Sequence, residues 1–270
     1  MPNTAIMTIP GVTFTNPLLP KLEKDAMLTT GVLGLWDALS TDSWPPQAAP
    51  TGAAKTLINL GRSGPALDGD ISTDFTWAAS GGLVRSTAVG SRIDLGAPDL
   101  STGSPNILLS VWVKLPSVPA AFTPLFSRLL ATGAGVDNQV ALSIGSDGKL
   151  RADLIALDTD GTTMRYITMS APNVVTVGVH QFAFNVSFSG NASTYSLYQD
   201  GASVASSSYI GAKLNPSTLR FALGNRHGTG TNATAAITYY RAHLENLTLS
   251  GRTAATVVSN GYTNNVGRFS

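Results

Sequence analysis

The chain lacks cysteine altogether, which removes disulfides, thiolate catalysis and Cys-based zinc or iron–sulfur sites in one step. Stability must therefore come from packing and hydrogen bonding. Glutamate is nearly missing as well, with only Glu23 and Glu245 in 270 residues. Charge is scarce at 12%, and its 17 basic and 16 acidic residues leave a net charge of +1 with no basic run to track phosphates. Nucleic acid is not an expected partner. No apolar run approaches the roughly 20 residues needed to cross a bilayer, so membrane insertion is not expected either. The opening stretch from Met1 to Pro10 has neither a basic leader nor an apolar segment with a cleavage site, which predicts synthesis in a cytoplasm without a signal peptide. No Gly-x-Ser-x-Gly, phosphate loop or dinucleotide glycine pattern is present, so acyl transfer, nucleotide hydrolysis and hydride transfer have no support. Helical periodicity is almost absent.

What is present is apolar and β-like. With 43% hydrophobic residues the chain has ample surface to bury, and its length suits one large domain plus a short extension. Residues 1–28 read as an extended arm. Pro2, Pro10, Pro17 and Pro20 bias the backbone toward extension, and Ile6, Ile9, Val12, Phe14, Leu18 and Leu19 must lie against something, either the chain's own domain or a neighbouring subunit. A helical turn over Lys21 to Met27 is compatible with Leu22 and Ala26. Residues 29–270 form the domain. Phe182, Phe184, Val186 and Phe188 alternate with small or polar residues, the mark of a strand covering a core on one side. Ile107 to Leu115 reads as a buried strand around Trp112. Ala235 to Leu249 supplies one or two further strands, and Thr253 to Ser259 a short helix. Asp147-Gly148, Asp160-Gly161 and Asp200-Gly201 each sit between strand-like runs, as tight hairpins require. Roughly a dozen strands in all favour an antiparallel sandwich.

Several stretches resemble the laminin-G-like group of concanavalin A-like domains. Gly31-Val-Leu-Gly-Leu-Trp36-Asp37 is similar to the family's opening strand, and Ile107-Leu-Leu-Ser-Val-Trp112-Val-Lys114 to its central one. His180-Gln-Phe-Ala-Phe-Asn-Val-Ser-Phe188, followed by Tyr195-Ser-Leu-Tyr198-Gln-Asp200-Gly201, is the strongest match. Leu219 to Asn225 and Tyr239 to Leu247 resemble the later strands. The resemblance spans residues 31 to 260 and implies an all-β, antiparallel β-sandwich of the jelly-roll type, with the arm before it and a short C-terminal helix after it. The family's acidic strand entry appears here as Ala235-Ala-Ile-Thr238, so a calcium-linked role is not carried over.

The same fold class includes laminarinase-type glycosidases, which the resemblance says would carry Glu-x-Asp-x-x-Glu on one strand. That glutamate pair is missing, and no catalytic residue is assigned. Asp68, Asp70 and Asp74 cluster, as do Asp153, Asp158 and Asp160, but both groups lie in or beside turn-rich sequence where Asp bonds its own backbone. Calcium would need six or more converging oxygens, and no specific motif supplies them. His180, His227 and His243 lack metal-ligand spacing. No cofactor or metal is expected, with calcium at the aspartate clusters the alternative that no specific motif supports. Asn185, Asn191, Asn232 and Asn246 head glycosylation sequons, which a chain rich in Ser, Thr and Asn acquires by chance.

The candidate ligand-binding residues are Trp44, Asn225, Arg226, His227 and Asn232. The loop Gly224 to Thr234 is long and polar, and its amides and guanidinium match sugar hydroxyls; a merely solvated loop is the alternative. Trp44, the tryptophan least tied to a strand, is either a stacking platform or packed beneath its own proline-rich loop. Trp36, Trp112 and Trp77 are expected in the core. The expected role is binding without catalysis. The composition is similar to that of bacteriophage virion proteins, which suggests a tail, baseplate or capsid-decorating component contacting host-surface carbohydrate. Its other partners would be further virion subunits, reached through the arm, in a homo-oligomer. The alternatives are a purely structural assembly protein without a glycan ligand, or a glycoside hydrolase.

Overall fold

A computed structural model of the chain describes residues 25, 27–51, 55–61, 64–72, 74–87, 91–100, 105–130, 139–227 and 235–269. These residues form two antiparallel sheets packed face to face. The first sheet runs from edge to edge as β14 (Ala202–Ile210), β13 (Ala192–Gln199), β12 (Gly178–Ser189), β7 (Ile107–Leu115), β17 (Thr238–Asn246), β5 (Leu83–Arg85) and β4 (Phe75–Trp77). Strand β1 (Val32–Asp37) shares the side of β17 that β5 also uses. The second sheet runs as β11 (Met164–Val174), β10 (Lys149–Leu157), β9 (Val140–Ile144), β8 (Thr123–Arg128), β16 (Ala222–Gly224), β6 (Arg92–Asp94), β3 (Gly69–Ile71) and β2 (Thr56–Leu57), with β15 (Lys213–Leu214) added to β10. The fold class expected from the sequence is the one found. The described strands number seventeen rather than about a dozen. Several of the additional ones are two or three residues long, too short to leave a periodic pattern.

Alternation decides the core. Phe182, Phe184, Val186 and Phe188 all enter the cluster between the sheets, where they meet Leu142, Ile144, Leu150 and Leu154 from the second sheet. Each such fully buried side chain contributes roughly 1.5–3 kcal/mol. The three Asp-Gly pairs close the hairpins β9–β10, β10–β11 and β13–β14. Gly148, Gly161 and Gly201 take left-handed backbone there, at φ 73°, 70° and 83°.

The first sheet is buried on its other face too. Helix α1 (Leu247–Ser250) is a single turn capped by Asn246, and α2 (Ala254–Asn265) starts at Thr253, whose hydroxyl accepts the Thr256 N–H. Val257 and Val258 of α2 pack with Leu108, Ala183 and Tyr198, while Tyr262 stacks on Trp112 at 5.7 Å. Trp112 is therefore core, but core beneath the C-terminal segment rather than between the sheets. Helix α2 runs on past Ser259, across Asn260 and Gly261. A Cβ at Gly261 would lie 2.8 Å from Gln181 Nε2, so that side chain would have to move to admit one.

Residues 1–24 and 26 of the expected arm, with most of the Lys21 to Met27 turn, lie outside the described residues. Asp25 and Met27 are held by the sandwich. Met27 joins the α2 cluster, and Asp25 accepts from Arg241 at 2.6 Å. Arg241 also donates to Asp37 at 2.7 Å, and Arg268 reaches the same carboxylate at 2.6 Å. One buried carboxylate thus ties β1, β17 and the C-terminal tail together.

Candidate functional site

The strand register of the second sheet sets out one row of residues across its outer face. Directly opposed partners carry the row from Thr168 to Asp153, Ala141, Ser127, Ala222, Asp94, Asp70 and Thr56. Residues directly opposed in antiparallel strands project from the same face. Their neighbours Ile167, Leu154, Leu142, Phe126, Leu223, Ile93 and Ile71 enter the core, so this row points away from it. Ala141, Ser127 and Ala222 are small and fully buried, which leaves room for the chain that follows β16.

Arg226 and His227 belong to that chain. The Arg226 guanidinium lies 5.0 Å over the Phe122 ring, and Arg151 lies 5.6 Å from the same ring. Arg151 is ion-paired with Asp153 at 2.6 Å, and the Thr168 hydroxyl donates to Asp153 at 2.7 Å. Burial lowers the pKa of Arg226, opposed by nearby Asp153 and assisted by Arg151. His227 sits toward the other end of the row. Its Nε2 donates to the Arg220 carbonyl at 2.7 Å, and its Nδ1 is 3.6 Å from Asp94, which Arg92 holds at 2.7 Å. Burial pushes His227 down, so the ring is neutral at pH 7.

Of the sequence candidates, Arg226 and His227 are thus brought to one face, and Asn225 is buried beside them with its N–H donated to the Ser91 carbonyl. Asn232 lies outside the described residues. Trp44 is a correction to the stacking-platform expectation. It is fully buried in the core, its indole N–H donates to the Ala48 carbonyl, and it offers no ring face to a ligand. Asp153 is a second correction, since it stands within β10 rather than in a turn.

The exposed aromatic at this face is Tyr166, which is 60% exposed and two residues before Thr168 on β11. Its sequence signal was available. Ile167, Met169 and Ala171 alternate into the core, which places Tyr166, Thr168 and Ser170 on the outer side.

Arrangements that resemble catalytic groups are held in structural contacts. Thr176, His180 and Asp200 form a relay in which His180 Nδ1 lies 2.8 Å from Asp200 Oδ2 and Nε2 lies 3.1 Å from the Thr176 carbonyl. Nε2 also lies 3.2 Å from the Thr176 hydroxyl, so both ring nitrogens are engaged within the protein. The ring is a staple between Asp200 and Thr176, and its pKa is raised chiefly by the bond to Asp200. Neither nitrogen is directed at a substrate as a general base would be. Glu245 is fully buried; burial opposes its ionisation, but His243 and Arg252 outweigh that and bring its pKa to about 2. Asp70 and Asp94 are cross-strand partners, the one juxtaposition of carboxylates on the row. Among the described residues, no three His, Asp or Glu side chains converge as a metal site needs.

A family model described as the concanavalin A-like lectin/glucanases superfamily matches residues 87–250. Comparison with curated proteins finds no match. Among solved structures, the chain is similar to the binding domain of Paraclostridial mosquitocidal protein 1, at 12% identity and a TM-score of 0.59, over 87% of this chain and 52% of that one. It is similar to Trypanosoma rangeli sialidase in complex with 2,3-difluorosialic acid, at 14% identity and a TM-score of 0.56, over 87% of this chain and 33% of that one. The receptor binding domain of botulinum neurotoxin D aligns at 10% identity and a TM-score of 0.52, over 87% of this chain and 53% of that one. At these identities the likeness is one of fold. The chain spans about a third of the sialidase and about half of the toxin chains.

Proposed function

The chain belongs to the concanavalin A-like lectin/glucanases superfamily, and from that membership we propose that it is a carbohydrate-binding module without catalytic activity. The contact surface is the outer face of the second sheet around Tyr166, Thr168, Asp153, Arg151 and Arg226. The observation that carries this reading is the exposed Tyr166 ring standing beside the hydrogen-bonded Thr168–Asp153–Arg151 group. A sugar presents an apolar C–H face and a polar hydroxyl rim. An aromatic plate flanked by a carboxylate, a hydroxyl and guanidinium groups matches both.

The biological setting proposed is a bacteriophage virion, in which the module contacts host-surface carbohydrate while residues 1–28 engage other virion subunits. The absence of cysteine, the scarcity of glutamate and the apolar, proline-punctuated arm support it. A glycan array on the purified protein tests the binding role. Tyr166→Ala is expected to weaken any positive glycan by about tenfold, or ~1.4 kcal/mol, with an unchanged melting temperature; Arg226→Ala is the companion control. Silence across the array favours the assembly reading. Loss of particle attachment on deleting residues 1–24 is the expected result for the arm.

A second reading, glycoside hydrolysis, is favoured by one feature, the cross-strand pair Asp70 and Asp94. Asp94 is already engaged by Arg92 and approached by His227, which argues against a free acid or nucleophile there. Release of sugars from β-glucans that Asp94→Asn abolishes would establish that reading and overturn the first.

A further inference from the structure

Alternation along the strands puts polar residues on the outer face of the first sheet, where α2 and the tail after it bury them. Gln181 and Arg241 both stand opposite Trp112, and His243 stands opposite Ser110, two residues before Trp112 on the same face. A cavity of about 10 Å³ lies at this place, lined by Ser110, Gln181, Arg241 and His243 of the sheet and by Gly261 of α2 among others. All five are buried. Ser110 on the sheet and Gly261 on the helix are small, which leaves the room. That room suits one water molecule and nothing larger, since a water needs roughly 10–15 Å³.

Two residues of this lining carry polar atoms with no hydrogen-bond partner among the described residues, namely Gln181 Oε1 and the ring nitrogens of His243. Gln181 and His243 are each 2% exposed, and polar groups buried that deeply are almost always paired. An amide oxygen can only accept. Burial holds the pKa of His243 down, so the ring is neutral at pH 7 and one of its nitrogens is a bare acceptor. Nε2 lies 3.3 Å from the Glu245 carboxylate, out of line for a hydrogen bond but close enough that a lone pair there would be repelled. The proton therefore sits on Nε2, and Nδ1 is the acceptor. Two buried acceptors cannot satisfy each other.

We propose that this cavity is the binding site of a single internal water, which donates one proton to Gln181 Oε1 and the other to His243 Nδ1 and so pins the polar face of the sheet beneath α2. Water is favoured over other small donors by charge and by proton count. An ammonium ion would set a second buried cation beside Arg241, whose side chain lines the same cavity. The Ser110 hydroxyl has one proton and can serve only one of the two acceptors; turned toward the water, it supplies the third bond that internal waters commonly make. The site belongs to the first sheet, whereas Tyr166 stands on the second, and it holds whether or not the Tyr166 surface binds sugar.

The test is a crystal structure of the full chain at a resolution that shows ordered water. A water peak within about 3.2 Å of both Gln181 Oε1 and His243 Nδ1 is expected. The peak is expected to vanish in Gln181→Met, which keeps the length of the side chain and removes the acceptor. Imidazole nitrogen NMR of the wild type at neutral pH gives a second readout that needs neither a crystal nor the variant, and His243 is expected there as the Nε2–H tautomer. A dry cavity overturns the proposal, as does a side chain from residues 1–24 filling it. So does a peak that stays in Gln181→Met, or a His243 ring protonated on Nδ1.

Discussion

At the scale of single residues, the match between His180 and Asp200-Gly201 acquires a physical cause. Asp200 takes a left-handed backbone at φ 51°, accepts the Gln181 N–H at 2.9 Å and holds the His180 ring through Nδ1 at 2.8 Å. One turn residue therefore locks the start of the neighbouring strand. The pKa of His180 is raised, so its stabilisation is complete below the unfolded value near 6.5 and is lost as pH climbs through the folded value. Asp200→Asn, which tolerates the same backbone, is expected to cost about 1.5–3 kcal/mol below pH 6.5 and less at pH 9. Urea melts at the two pH values measure the difference; an equal loss at both would show that the charge is irrelevant. His227 and His243 act in the opposite direction. Burial lowers both, so their contribution is present above pH 6.5 and declines in acid.

At the scale of elements, the C-terminal helix shows how a covering segment dictates the sequence beneath it. Positions 181 and 183 of β12, which alternate with the phenylalanines, would face solvent in a one-sided sheet. Here Ala183 lies under Val257 and Val258, and Gln181 lies against Gly261. Each contact has a small residue on one side, Ala183 beneath the two valines and Gly261 against Gln181. Gly261→Val is expected to destabilise by about 1–3 kcal/mol through overpacking, read as a lower urea midpoint, with greater protease sensitivity after residue 250. Stability equal to wild type would mean that α2 shifts freely. Three arginines play a comparable part at loops. Arg128 donates to the Pro98, Ser217 and Leu219 carbonyls, Arg85 to Pro124 and Ala235, and Arg220 to Asp94 and Leu95. Guanidinium groups thereby donate to backbone carbonyls in loops and in the strands beside them.

At the scale of the whole molecule, a cystine-free sandwich depends on its interior. Phe184 stacks on Tyr195 at 6.2 Å and is 1% exposed. Phe184→Ala is expected to remove about 3–5 kcal/mol, a large fraction of the 5–15 kcal/mol typical of a native domain. Calorimetry would record that loss as a fall in melting temperature, and a change of under 1 kcal/mol would mean the cavity refills. The two faces of the second sheet divide the labour. Its inner face supplies the aliphatic half of this interior, and its outer face carries the Tyr166–Asp153–Arg226 surface.

The amino-acid sequence by itself determined the fold class, the three Asp-Gly hairpins and the aromatic half of the core, because period-two alternation and turn chemistry act between residues close along the chain. It also placed Arg226 and His227 in a loop that could meet a ligand. Only the tertiary structure decided which aromatic is offered to solvent. Trp44 and Tyr166 are both single aromatics in their stretches of sequence, and their exposure depends on what folds back over them from elsewhere. The cross-sheet row from Thr168 to Thr56 joins residues more than a hundred positions apart in the chain, and no local pattern records such a register.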